Sequence, residues 1–318
     1  MPRPGAIEIV RQDWVRSRST VMLAPDEESR NGTGRSNRGQ RKTWPGVCCP
    51  PAGTRLGCRT LDRVPAAPQH GDFVRVDLTD YGQTVEALSA VDNRYQGIDA
   101  LVHLAAIPAP GLTTNAATFS NNMTSTYNVF SAARHAGITN IVWASSETVL
   151  GLPFDTPPPY VPVDEEYLGR PESTYSVVKF LEEQLAGQLC RWDPRLKMIG
   201  LRFSNVMEPA DYQAFPGFNA EPRARKWNLW GYIDARDGAQ AVRLALEYQA
   251  TGVDIFIIAN ADTVMSRPNR ELLAEVFPDV PVRGEIGEHD TLLSIDKARR
   301  VLGFQPSHSW RDEIQLPQ

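Results

Sequence analysis

Thr174–Glu183 reads TYSVVKFLEE, with Tyr175 and Lys179 four positions apart. At helical periodicity that spacing puts a phenol and an ammonium on one face, and the longer run TYSVVKFLEEQLAGQLCRW (174–192) keeps the three- and four-residue apolar spacing of a buried helix. A phenol ordinarily keeps its proton to about pH 10, and a fixed ammonium beside it favours the phenolate. The pair therefore reads as a general acid/base, with Lys179 expected to bring proton transfer toward neutral pH. An amphipathic surface helix can carry the same two residues, so the flanking segments must decide between the readings.

Upstream and downstream, short apolar runs alternate with helical patterns, the mark of parallel strands joined by crossover helices. The strands expected are CRTLD (58–62), FVRVDL (73–78), ALVHLA (100–105), NIVWAS (140–145), MIGLRF (198–203) and DIFIIAN (254–260). Helices are expected over TVEALSAVD (84–92), FSNNMTSTYNVFSAARHAG (119–137, closed by Gly137) and 174–192. The fold class is α/β: a doubly wound, Rossmann-type parallel sheet with a small C-terminal substrate-binding portion. In such sheets ligands sit at the carboxyl edge, where IVWASSETVLG delivers Ser145 and Ser146 and LVHLAAIPA ends in small residues. The Pro-rich segment 153–173 reads as a loop over that site.

This ordered series resembles the extended short-chain dehydrogenase/reductase family, the NAD-dependent epimerase/dehydratase group, from about Arg59 to Trp310. The resemblance implies that Tyr175, Lys179 and Ser146 are catalytic, although Leu150 stands where the family usually has Tyr. It implies a cofactor site of Asp62 on the adenosine ribose, Asp77 and Leu78 beside the adenine, and Leu104, Ala105 and Ala106 at a strand end. Asn122, with Asn121 as a near alternative, and Phe203 and Val206 in LRFSNV complete it. Ser145, Ser146, Asn205 and Arg236 are implied to contact the substrate. Tyr175 then removes a carbinol proton, Ser146 orients the oxygen, hydride passes to NAD+, and Lys179 also bonds the nicotinamide ribose. An acidic Asp62 favours NAD over NADP, with Arg63 beside it as a reservation. Only 26 residues separate Asn205 from Tyr232, which argues for a free sugar, uronate or similar small hydroxy compound over a sugar nucleotide. Arg223, Arg225 and Lys226 are the cations nearby for an anionic group. A homodimer is also implied.

The amino-terminal fifth is different in kind. Residues 1–63 carry 12 Lys+Arg against 6 Asp+Glu, leaving 21 against 32 in the rest. Residues 1–57 show no sustained period and read as an atypical, disordered segment, with 58–318 as the NAD-binding domain and its substrate portion mainly at 206–232 and 261–318. Gly32, Gly34 and Gly39 do not make the family's phosphate loop, no apolar strand is evident before them, and Pro45, Pro50 and Pro51 interrupt the place of the first helix. Read one frame over, Trp44, Cys48 and Cys49 become forced apolar residues, because any codon NTG encodes Leu, Val or Met. Residues 30–57 are therefore read as a frame-shifted first strand and helix. Loss of that strand would cost more than the roughly 5–15 kcal/mol by which domains are stable, so poor folding or weak NAD binding is expected.

Composition narrows the remainder. Net charge is -5, and no apolar run approaches the roughly 20 residues of a membrane helix. The first residues lack the apolar core of a signal peptide, so a cytoplasmic location is expected. Cys48, Cys49 and Cys58 lack CxxC spacing and the chain holds five His, so no metal is expected. The competing readings are a sugar-nucleotide epimerase or dehydratase, or a cofactor-impaired relative whose RNGTGRSNRGQRK arm binds nucleic acid or a partner, nucleic acid being the less favoured outcome. A serine hydrolase is disfavoured because no G-x-S-x-G elbow surrounds Ser145 or Ser146.

Overall fold

The structure is a computed structural model and describes residues 21–24, 59–63, 72–89 and 98–314. Its strands are β1 (Val21–Ala24), β2 (Arg59–Asp62), β3 (Asp72–Arg75), β4 (Ala100–His103), β5 (Asn140–Ser146), β6 (Lys197–Phe203), β7 (Val206–Met207), β8 (Ile233–Asp234) and β9 (Gly252–Ile258). Its helices are α1 (Tyr81–Leu88), α2 (Asn115–His135), α3 (Thr174–Trp192), α4 (Phe215–Phe218), α5 (Ala235–Glu247), α6 (Asn269–Val276), α7 (Asp296–Leu302) and α8 (Trp310–Glu313). The main sheet runs β3-β2-β1-β4-β5-β6-β9, the doubly wound order, and β7 pairs separately with β8.

Six of the seven main-sheet strands are parallel, and β1 corrects two expectations. The run VMLA forms a strand in the central position the family's first strand should hold, so residues 1–57 are not wholly without structure. It runs antiparallel to both neighbours, with Val21 opposite Leu61 and His103, and Ala24 opposite Ala100. Ala24 thus lies where the parallel strands begin, at the edge opposite to the carboxyl edge where a phosphate loop belongs. The frame-shift reading of 30–57 and the glycines Gly32, Gly34 and Gly39 lie outside the described residues.

Both faces of the sheet are covered, for reasons visible in strand alternation. On β5, Ile141 and Trp143 enter one core with Leu61, Leu101, Phe130 and Leu189, while Val142 enters the other with Ile199, Leu201 and Phe256. Trp143 meets Phe130 edge-on at 5.5 Å between ring centroids. Gly200 on β6 sits under Trp143, where a Cβ would lie 2.7 Å from Cζ2. Helix ends follow the polar signals: Asp80, Thr114 and Ser173 cap α1, α2 and α3, and Gly137 at φ +78° ends α2. The Pro-rich segment is pinned rather than loose, with Val161 and Val163 N–H donating to Pro281 and Leu292 carbonyls and Phe154, Tyr160, Val161 and Val163 buried. No helix among the described residues is long and apolar enough to cross a membrane.

Candidate functional site

Helix α3 spans Thr174–Trp192, and its buried stripe includes Tyr175, Val178, Lys179, Glu182, Ala186 and Leu189. Three of these six are ionisable, and polar groups held out of water need partners. The stripe lies beside the carboxyl ends of β5 and β6, where the strands stop at Ser146 and Phe203.

Ser146 N-caps the 3₁₀ turn Glu147–Leu150, its Oγ accepting from Thr148 N–H (3.2 Å) and Thr148 Oγ1 (3.0 Å). It is also hydrogen-bonded to the Tyr175 phenol. Lys179 Nζ stands 5.9 Å from the Tyr175 ring centroid and donates to Ala144 O at 2.7 Å and Glu182 Oε2 at 3.0 Å. An ammonium has three donors, so one N–H is left for a ligand. Burial raises the phenol's pKa and Lys179 and Ser146 lower it, with burial the larger effect. The Lys179 ammonium thus acts on the phenol in the expected direction, with burial opposing it.

The two serines part company. Ser145 follows Ile141 and Trp143 onto the α3 side, and its Oγ donates to Glu183 Oε1 at 2.6 Å. Glu183 in turn takes Arg202 in a bidentate pair (2.9 and 2.8 Å) with both side chains buried, so Ser145 braces β5 to α3 with its hydroxyl proton engaged by Glu183.

Asn122 is fully buried and clamps the turn after β4, accepting from Ile107 N–H at 2.7 Å and donating to Ile107 O at 3.0 Å. It shapes the Leu104–Ala106 strand end, while Asn121 only donates to Asn122 Oδ1. Ala105 is buried in the core and Leu104 packs against the opposite one. Asp62 ends β2 buried. Asp77 is bound by Arg63 (2.6 Å) and Thr79, which turns Arg63 away from the role of a free cation beside Asp62. The Leu78 side chain is core, and its carbonyl accepts from Asn128. Phe203 is buried in the core at the end of β6, with Val206 packed against it.

Arg236 departs from expectation. Its guanidinium is tied to Asp234 and to Glu313 at 2.8 and 2.7 Å, bracing α5 against α8 instead of presenting a cation to a pocket. Arg223 donates to Glu275 O, and Lys226 pairs with Asp155 at 2.9 Å. Arg225 is buried between the Phe218 and Trp227 rings, 5.2 and 4.5 Å from their centroids.

Three carboxylates escaped the sequence reading. Glu147, next to Ser146, accepts from Ser204 Oγ (2.6 Å), Asn228 Nδ2 (3.1 Å) and the Asn205 N–H, so it anchors the turn that carries Asn205. Burial pushes its pKa up to about 7 against those hydrogen bonds and Arg225. Glu182 and Glu183 were legible as i+3 and i+4 from Lys179, positions a buried helix face shares. No cluster of metal-ligating side chains occurs among the described residues.

For a nicotinamide dinucleotide the donor set fits at one end. Tyr175, the free N–H of Lys179 and the small-residue β4 end suit a nicotinamide riboside, and the Asp62 carboxylate suits ribose hydroxyls. The described residues include no glycine-rich turn following a parallel strand.

The family profile of the NAD dependent epimerase/dehydratase family matches residues 54–259. Among curated proteins the chain is 30% identical over 165 residues to UDP-glucose 4-epimerase of Drosophila melanogaster, covering 51% of this chain and 43% of that one. It is 26% identical over 253 residues to the Rhizobium leguminosarum bv. trifolii enzyme of the same name, covering 68% and 75%. The chain thus spans less than half of the first relative's length. Solved structures with the same fold include a mutated uronate dehydrogenase (TM-score 0.54, 21% identity, 80% of this chain and 75% of that one). Another is a short-chain dehydrogenase/reductase superfamily protein from Agrobacterium tumefaciens with bound NAD (TM-score 0.59, 21% identity, 80% and 86%). Profile, curated relatives and fold converge with the Ser146–Tyr175–Lys179 geometry: the chain belongs to the NAD dependent epimerase/dehydratase family.

Proposed function

We propose that the protein is an NAD-dependent oxidoreductase or epimerase acting by hydride transfer at a carbinol carbon of a free sugar, uronate or related small hydroxy compound. The observation that carries this reading is the Ser146–Tyr175–Lys179 cluster at the carboxyl edge. When bound, the dinucleotide supplies the hydride acceptor. The chain's own residues do the rest: Tyr175 Oη takes the carbinol proton, Ser146 Oγ orients the carbinol oxygen, and Lys179 holds the ribose through its remaining N–H and offsets the phenolate charge. Asp62, with Arg63 occupied by Asp77, supports NAD over NADP. The short interval between Asn205 and Tyr232 supports a small substrate. We assign substrate contacts mainly to 206–232 and 261–318, and a homodimer as the working assembly.

The curated relatives favour a second reading, a sugar-nucleotide epimerase. A screen of NAD+ reduction and of epimerised product against free sugars, uronates and UDP-sugars separates the two. Turnover of UDP-glucose with none of free sugars or uronates overturns the first reading. Turnover that survives Tyr175→Phe undiminished overturns both.

A further inference from the structure

A line of buried polar groups runs behind the Tyr175–Lys179 pair and is not needed to explain either residue's place on α3. Lys179 Nζ meets Glu182 Oε2 at 3.0 Å, Thr126 Oγ1 donates to Glu182 Oε1 at 3.0 Å, and His103 Nε2 lies 3.0 Å from Thr126 Oγ1. The Lys179 and Glu182 side chains are 4% and 0% exposed. A threonine hydroxyl has one proton, and here Glu182 receives it, so Thr126 accepts from His103 and the imidazole carries its proton on Nε2. Every donor in the line therefore points toward Glu182; burial raises the carboxyl's pKa, and Lys179 and these hydrogen bonds work against it in favour of the ionised form.

We propose that Glu182 is a positioning residue for the acid–base pair: it fixes where the Lys179 ammonium sits and limits how much of that positive charge reaches Tyr175. The proposal rests on the reading of Tyr175 as acid–base. Lys179 lies between an anion at 3.0 Å and a phenol ring at 5.9 Å, so the nearer carboxylate cancels part of the field that would stabilise a phenolate. Burial works to discharge Lys179, and Glu182, Tyr175 and Glu183 together outweigh it, keeping the residue an ammonium.

The other charged and titratable groups facing this pair are accounted for. On α3, Glu183 is engaged by Arg202 of β6 and by Ser145. From β4, His103 is kept neutral by burial and by Lys179, with its pKa down at about 3. From the turn after β5, Glu147 acts on Tyr175 in the same sense as Glu182. From α2 the contact is Thr126, which does not titrate.

The test follows Tyr175 itself. Titrating the ultraviolet tyrosinate band of the full chain, with the matching Tyr175→Phe chain subtracted, isolates its midpoint from the other tyrosines. Glu182→Gln removes the charge and keeps the shape, and is expected to lower the midpoint by about one pH unit. Glu182→Asp keeps the charge and is expected to restore it. If Glu182→Gln does not fold, Thr126→Val substitutes: it unanchors one Glu182 oxygen and moves the midpoint the same way by less. The proposal falls if the midpoint stays put while thermal stability drops, since that is the signature of a purely structural pair, or if Glu182→Asp shifts it as far as Gln. Failure of the functional reading appears separately, as absent NAD+ reduction, and leaves this titration unaffected.

Discussion

Removing Glu183 should unfold the site from behind. Glu183 binds Arg202 through two hydrogen bonds of 2.9 and 2.8 Å and accepts from Ser145 at 2.6 Å, with the ionic side chains 5% and 7% exposed, so one carboxylate ties α3 to both β5 and β6. Glu183→Met leaves the Arg202 guanidinium buried without its counter-ion, which costs about 3–5 kcal/mol. The orphaned Ser145 hydroxyl adds about 1 kcal/mol. For a domain of this size each kcal/mol lowers Tm by about 2–4 °C, so the single variant should melt roughly 8–24 °C early. Replacing both partners, Glu183→Met with Arg202→Met, removes the stranded charge and should recover at least half of the loss, because a buried ion pair exchanged for apolar groups is often neutral. Urea unfolding of the four corners of the cycle gives the coupling directly. If the double variant is as unstable as the sum of the two singles, the stranded-charge reasoning is wrong and Glu183 acts mainly by packing.

Other expectations concern single groups. Tyr175→Phe should cut kcat/KM by about 10²–10⁴ while NAD+ affinity measured by fluorescence stays within about threefold; an equal loss in both would make the phenol a binding group only. Glu147 holds a folded-state pKa of about 7 against an ordinary 4.5, so the native state keeps a proton that the unfolded chain releases, and stability falls as pH rises through that window. The loss approaches about 3 kcal/mol by neutrality, and Glu147→Gln should flatten it; parallel stability–pH curves for the two chains would refute the assignment. Gly200→Ala places a methyl 2.6 Å from Ile255 Cδ1 and 2.7 Å from Trp143 Cζ2, and should cost about 1–3 kcal/mol with a changed Trp143 near-ultraviolet circular dichroism signal. An unaltered urea midpoint would mean that β6 and the Trp143 ring yield more easily than the geometry implies.

What could be read in advance tracks how local each feature is. Helix α3 starts and stops at the expected residues because its cap, Ser173, and its stripe are adjacent in the chain. Strands β5 and β6 lie within one residue of their expected limits, since a parallel strand buried on both faces is a continuous apolar run with little competition, and the edge strand β9, buried only in its second half, lies within two. The destinations of charged side chains were not legible in the same way. Arg236 was expected at a pocket, yet it finds Glu313, 77 positions away in the chain, and Ser145 is taken by Glu183, 38 positions away. No periodicity encodes such pairings, because they depend on which elements the fold brings face to face.

The sequence by itself determined the doubly wound class, the main-sheet strands β2, β3, β4, β5, β6 and β9 in chain order, and the shared helix face of Tyr175 and Lys179, because helical and strand spacing dictate which residues share a face and which end a strand; Ser146 was singled out by the family resemblance. Tertiary structure alone decided where each serine hydroxyl goes, Ser145 to Glu183 and Ser146 to the phenol, that Glu182 pairs with Lys179 and Glu183 with Arg202, and that the central position of the sheet is filled by an antiparallel β1. Those outcomes turn on burial. A charge withdrawn from water takes whatever partner the packed elements supply, and only the packed chain shows which partner is within reach.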